Sequence, residues 1–138
     1  MTGAITPSDF ARSARSMLGV PFHLHGRDPV IGLDCVGLVA VALERAGCKA
    51  RAPAGYQLRN LQIGQFLPAV REAGFLEASG QHMVGDVLLV RPSAAQYHLM
   101  IMVSSTELIH AHAGLGRVVI TPAPSPWSIE QIWRLRAN

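Results

Sequence analysis

The apolar positions of this chain change their period once, near residue 85. Before it, Phe10, Ala14, Met17 and Leu18 recur at the spacing of one helical face. Thr6-Pro7-Ser8-Asp9 supplies hydroxyl caps, a first-turn proline and an early acid, and Gly19 ends the run. Residues 20–33 hold Pro21, Gly26, Pro29 and Gly32 and are expected to form a loop. Asp34 opens a second helix that reaches about Gly47. From Val36 to Leu43 that helix has no charge on any side, which predicts a central, buried position. The stretch from Arg51 to Gly80 is broken by Pro53, Gly55, Gly64, Pro68 and Gly74, with one helical patch at Leu67–Ala73. After Gly85 the runs are extended: Val87–Val90, His98–Val103, Glu107–Ala111, Arg117–Thr121 and Ile129–Arg134, separated by turn residues. Helices first and an antiparallel sheet second predict an α+β fold.

Composition narrows the class. A chain of 138 residues, 49% apolar and 15% charged, has the length of one domain spanning 1–138 and enough apolar side chains to build a core. The formal charge of +3 rests on arginine, since Lys49 is the lone lysine. Those arginines are scattered, which argues against the clustered basic face of a nucleic-acid binder and allows a weak attraction to anionic surfaces such as a cell wall. Met1–Asp9 lacks a basic stretch followed by an apolar run, and no segment approaches the roughly 18 apolar residues of a membrane span. The expectation is a chain cytoplasmic as synthesised, with no membrane partner, open to export inside a larger assembly.

Leu33-Asp34-Cys35-Val36-Gly37-Leu38 carries the first chemical signal. The cysteine falls in the first turn of an apolar helix, where unpaired N–H groups and the helix dipole favour an anion such as a thiolate. Asp34 is placed to cap through the N–H of Val36 or Gly37. Gly37 is expected to leave room for a substrate carbonyl, with the Cys35 N–H facing its developing oxyanion. The competing reading is a buried structural cysteine. Cys35 and Cys48 stand at opposite ends of the helix, about 20 Å apart at 1.5 Å per residue, too far for a disulfide. Cys48 is read as a packing residue.

Six histidines are present. Tyr97–Val103 and Glu107–Ala113 read as a hairpin turning at Ser104-Ser105-Thr106, with His98, Met100 and Met102 on one face and His110 and His112 sharing another. A turn centred on residue 104 sets His98 opposite His110, and one centred on 105 sets it opposite His112. Either brings two imidazoles together, one as base and one orienting it. The rival is zinc held by His23-x-His25, His110-x-His112 and Cys35, against which stand the lack of HExxH and of a C-x-x-C pair. His23 and His25 precede Cys35 and are candidates to line its cleft.

Four blocks in order, Asp34-Cys35-Val36-Gly37-Leu38-Val39, Gly85-Asp86-Val87, His98-Leu99-Met100-Ile101-Met102 and Ile109-His110-Ala111, resemble the NlpC-type cell-wall cysteine peptidases across residues from about 15 to 121. The resemblance implies a papain-like core, with the nucleophile helix packed on a five- to six-stranded antiparallel sheet. It implies Cys35 as nucleophile, His98 as general base and His110 as the polar third residue, with no metal or cofactor. It also implies a peptidoglycan stem peptide as substrate, often cut between D-γ-glutamyl and diaminopimelate or lysine. Two positions depart from the family pattern. Val36 stands where serine is usual, and Phe22 stands where a tyrosine hydroxyl usually aids substrate and oxyanion binding; His23 or His25 is the candidate replacement donor. The substrate-contacting set is thus expected to be Phe22, His23, His25, Asp34 and Gly37. The Asp-Cys-Val-Gly-Leu variant is similar to phage or prophage tail-associated members, with phage-tail proteins as partners. The alternative is a catalytically weak or inactive papain-like module that binds tail or wall.

Overall fold

A computed structural model of the chain describes residues 5–48, 67–94 and 96–136. Helix α1 (Pro7–Arg15) begins where the cap signal places it. The Thr6 hydroxyl accepts the Asp9 N–H at 3.0 Å, and the Asp9 carboxylate accepts the Thr6 N–H in return. Phe10, Ala14 and Met17 are fully buried, but Leu18 is 54% exposed. The helix ends at Arg15, so the helical period no longer carries Leu18 to the core.

Residues 20–33 are not wholly loop. They contain a small hairpin of β1 (Arg27–Asp28) and β2 (Gly32–Leu33), whose two-residue strands are too short to register as a pattern. Helix α2 (Cys35–Arg45) follows at once, capped by Asp34. Its Ala42 carbonyl accepts the Ser13 hydroxyl at 2.6 Å, tying it to α1. Cys48 lies past the helix end, half-buried against the core with its sulfur 3.7 Å from the Ala73 carbonyl, and both cysteines are free thiols.

Helix α3 (Leu67–Glu72) matches the predicted patch, and residues 51–66 lie outside the described residues. Strand β3 (Phe75–Ala78) went unpredicted because four residues directly after a helical run show no period of their own. The five predicted strands are β4 (Val87–Ser93), β5 (Gln96–Ser104), β6 (Glu107–His112), β7 (Arg117–Pro122) and β8 (Ser128–Leu135). With β3 they form one antiparallel sheet ordered β3-β8-β4-β5-β6-β7, so the last strand is inserted between the third and fourth. No helix among the described residues is long and apolar enough to cross a membrane.

Strand alternation divides the sheet into two faces. Leu89, Leu99, Ile101, Val103, Ile109 and Ala111 face α1 and α2 and pack with Phe10, Met17 and Leu38. Leu88, Val90, Met100, Met102 and Leu108 face the other way, beneath Trp127, Ile129 and Ile132. Asp86, fully buried, pins the start of β4 to β8: both its oxygens meet the Arg134 guanidinium at 2.8 Å, and one also accepts the Met83 N–H. Gly85, at φ +91°, runs so close to the start of α1 that a Cβ there would strike the Pro7 carbonyl.

Candidate active site

The start of α2 is built around Asp34. Its carboxylate is fully buried and accepts the Gly37 N–H at 2.8 Å and the His25 N–H at 2.7 Å, with the Arg27 guanidinium 3.3 Å away. One acid thus caps the helix and fastens the preceding loop, whose His25 sits in the left-handed region at φ 60°. Asp34 is therefore a framework residue, committed to the loop and helix on both oxygens. Gly37 also has a different role from the expected one. A Cβ on it would collide with the Gly26 carbonyl, and a Cβ on Gly26 would collide with that of Gly32. The space beside Gly37 is filled by the loop and is not a path for substrate.

Cys35 is completely buried. Burial, then the charge of Asp34, pushes its thiol up to about 12, against the smaller downward pull of the N–H groups of Leu99, Val36 and Cys35 itself. This reverses the sequence expectation of a thiol lowered by the helix terminus. The positive end of the helix is already answered by the Asp34 carboxylate, and the buried sulfur has little hydration to favour its charge. The Leu99 N–H at the sulfur brings the start of β5 to the start of α2, one peptide link from His98.

His98 projects on the far face of the sheet, paired across the ladder with Val90. Its Nε2 lies 2.8 Å from Nδ1 of His110, the rings meeting edge-on with centroids 5.0 Å apart. Among the described residues Nδ1 of His98 has no hydrogen-bond partner. His110 is buried, and its Nε2 lies 3.3 Å from the Thr121 hydroxyl. The Trp127 ring stands nearly perpendicular to both imidazoles, 5.8 and 5.9 Å from their centroids. Burial, then the neighbouring His110 and His112, holds His98 down to about 3. Burial and then His112 hold His110 down to about 4. Near neutral pH the imidazole pair is uncharged.

The hairpin register adds a correction. Ile101 pairs with Ile109 and Met102 with Leu108, so the ladder is centred on residue 105, with an irregularity at Ser104. Continued along the strands, that register sets residue 112 across from 98. The ring contact of His98 is nonetheless with His110, diagonally across the ladder. His112 turns aside, its Nδ1 accepting the Leu115 N–H at 3.0 Å, with its ring centroid 5.7 Å from that of His110.

Phe22 is half-buried against the main core, with its N–H on the Gly116 carbonyl at 2.8 Å. His23 and His25 are exposed. The His23 Nδ1–H donates to the Leu24 carbonyl at 2.9 Å, so its Nε2 carries no proton while the ring is neutral and is an acceptor there. His23 is thus a poor replacement for a tyrosine hydroxyl. No group of three or more histidine, cysteine or acidic side chains suited to a metal forms among the described residues. Thr121 and Trp127 were not singled out from sequence. Nothing along the chain marks a strand threonine, or a tryptophan in a proline-punctuated loop, as a neighbour of two distant histidines.

A helix that starts at a buried cysteine, packed on an antiparallel sheet whose strand start bears a paired histidine, defines a papain-like α+β domain. The chain belongs to the NlpC/P60 family, whose sequence model matches residues 19–136. Among solved structures, it is similar to NlpC2 of Trichomonas vaginalis, with 19% identity and a TM-score of 0.68 over 97% of this chain and 48% of that one. It is similar to the peptidoglycan hydrolase RipB of Mycobacterium tuberculosis, with 20% identity and a TM-score of 0.63 over 96% of this chain and 65% of that one. The Tae3–Tai3 effector–immunity complex of Ralstonia pickettii supplies a third likeness, with 21% identity and a TM-score of 0.58 over 95% of this chain and 99% of that one. The chain spans about half the length of NlpC2. A search of curated proteins finds no match.

Proposed function

We propose that the chain is a cysteine peptidase that hydrolyses amide bonds in peptidoglycan stem peptides, with Cys35 as nucleophile, His98 as general base and His110 orienting it. The observation that carries this reading is the 2.8 Å contact between His98 Nε2 and His110 Nδ1, which leaves Nδ1 of His98 open on the strand whose next N–H meets the Cys35 sulfur. Membership of the NlpC/P60 family supports the substrate class, as does the likeness to RipB.

In this reading thiol and imidazole start neutral. The Cys35 sulfur attacks the amide carbonyl as its proton passes to His98 Nδ1, so the ion pair forms only as the S–C bond forms. The Cys35 N–H donates to the oxyanion. Imidazolium His98 then protonates the departing amine as the C–N bond breaks; neutral His98 next takes a proton from water as hydroxide attacks the thioester, and returns it to the Cys35 sulfur as the C–S bond breaks. A D-γ-glutamyl–diaminopimelate bond is the proposed target. Delivery to the wall within a phage tail-like particle is the proposed context, supported by the Asp-Cys-Val-Gly-Leu sequence. Mass spectrometry of muropeptides after incubation tests both bond and activity, with Cys35→Ala as control. Cleavage that persists in Cys35→Ala rejects the assignment.

A second reading, a papain-like wall- or tail-binding module without turnover, is favoured by Phe22 in place of a hydroxyl donor and by the upward-shifted thiol. It predicts intact muropeptides together with retention on purified cell walls.

A further inference from the structure

We propose that Thr121 is a positioning residue of this site, the acceptor that holds His110 in the tautomer His98 needs in order to act as a base. The inference rests on the proposed peptidase reading. His98, His110 and Thr121 lie on one face of three adjacent strands, β5, β6 and β7, in a diagonal line of contacts at 2.8 and 3.3 Å. The line leaves little freedom in where its protons sit.

When His98 takes the thiol proton it becomes an imidazolium, both of whose nitrogens carry hydrogen. Its Nε2–H can then only donate, so His110 must present a lone pair at Nδ1. The single ring proton of neutral His110 is therefore on Nε2. His110 is 1% exposed, so that N–H cannot turn to water, and among the described residues Thr121 Oγ1 is its acceptor. The Thr121 side chain is half-exposed, and its own hydroxyl proton is free to point to solvent. Without the hydroxyl, the same charging step strands a buried donor, a penalty that falls on the charged state and not on the resting one. With His110 instead protonated on Nδ1, His98 must accept at Nε2 and carry its proton on Nδ1, which leaves the nitrogen that acts as base in the proposed mechanism without a lone pair.

Thr121→Val keeps shape and removes the acceptor; Thr121→Ser keeps the acceptor. Long-range proton–nitrogen NMR spectra of the ring nitrogens in the full chain read the tautomers directly, whether or not the protein turns over. The expected result is Nε2–H for both His98 and His110 in the natural sequence and in Thr121→Ser, with a shift of His110 toward Nδ1–H in Thr121→Val. Turnover of peptidoglycan should fall about tenfold in Thr121→Val, the worth of one neutral hydrogen bond, with KM little changed and Thr121→Ser near the natural rate. His110 found as Nδ1–H in the natural sequence, or Thr121→Val with unaltered tautomers, overturns the inference. Absence of cleavage by the natural protein overturns the peptidase reading instead, and the ring spectra still decide the Thr121 contact.

Discussion

The two faces of the sheet are built from the same strands and do different work. The helix-facing side is apolar along the middle of β5, where Leu99, Ile101 and Val103 pack into the main core. The opposite side is apolar at one end, with Met100, Met102 and Leu108, and carries imidazoles at the other. A buried histidine pair is tolerated there because three of its four ring nitrogens meet one another or Thr121, under the Trp127 ring. What holds the fold and what is proposed to do the chemistry are thus divided between the faces: one residue step along β5 crosses from core to candidate base.

The sharpest way to break that division is to delete the chemistry and look for loss of fold. Cys35→Ala and His98→Ala should each lower peptidoglycan turnover at least about a thousandfold while retaining a cooperative thermal transition. If either variant fails to fold, the division is wrong. The reciprocal change is Phe10→Ala on the helix-facing side. Phe10 is fully buried and meets Phe75 edge-on at 5.6 Å, so its loss should cost about 3–5 kcal/mol in denaturant unfolding. The tautomers of His98 and His110 should not change.

Acidity tests the far face by itself. Unfolded histidine titrates near its ordinary 6.5, whereas folded His98 titrates at about 3. Below 6.5 the unfolded chain binds protons that the folded ring refuses, so stability should fall as pH drops from there toward 3. At the alkaline end the thiol acts in the opposite sense. An unfolded cysteine releases its proton near 9.0 and folded Cys35 at about 12, so stability should also fall as pH rises between those values. Denaturation midpoints measured across this range should peak between the two limbs. A midpoint that climbs on acidification would mean the imidazoles are charged and solvated. The smallest expected effect is Thr6→Ala, which removes half of the α1 capping box and should cost about 1 kcal/mol with no change in turnover.

Much of this was legible along the chain. α1 and α2 were marked by caps whose chemistry is local: Thr6 with Asp9, and Asp34 with Gly37. The five later strands showed as apolar runs between turns. β3 did not, because Phe75–Ala78 follows a helical run without a break in composition, and its identity as a strand comes from pairing with β8, more than fifty residues on. Hairpin alternation left His110 and His112 both open as the partner of His98, and the family resemblance pointed to His110; the contact is with His110, but diagonal and not directly across. Register, local irregularity at Ser104 and ring orientation jointly choose the partner.

The sequence by itself determined the helices, the five later strands and their order, the cysteine at a capped helix start and the short list of histidines near it, since each depends on neighbours within a few residues. Tertiary structure alone decided that His98 meets His110 diagonally, that Thr121 and Trp127 complete their surroundings, and that the thiol is raised and not lowered. Those outcomes depend on burial and on side chains brought from separate strands. No local pattern encodes how much water a folded neighbourhood leaves at a sulfur.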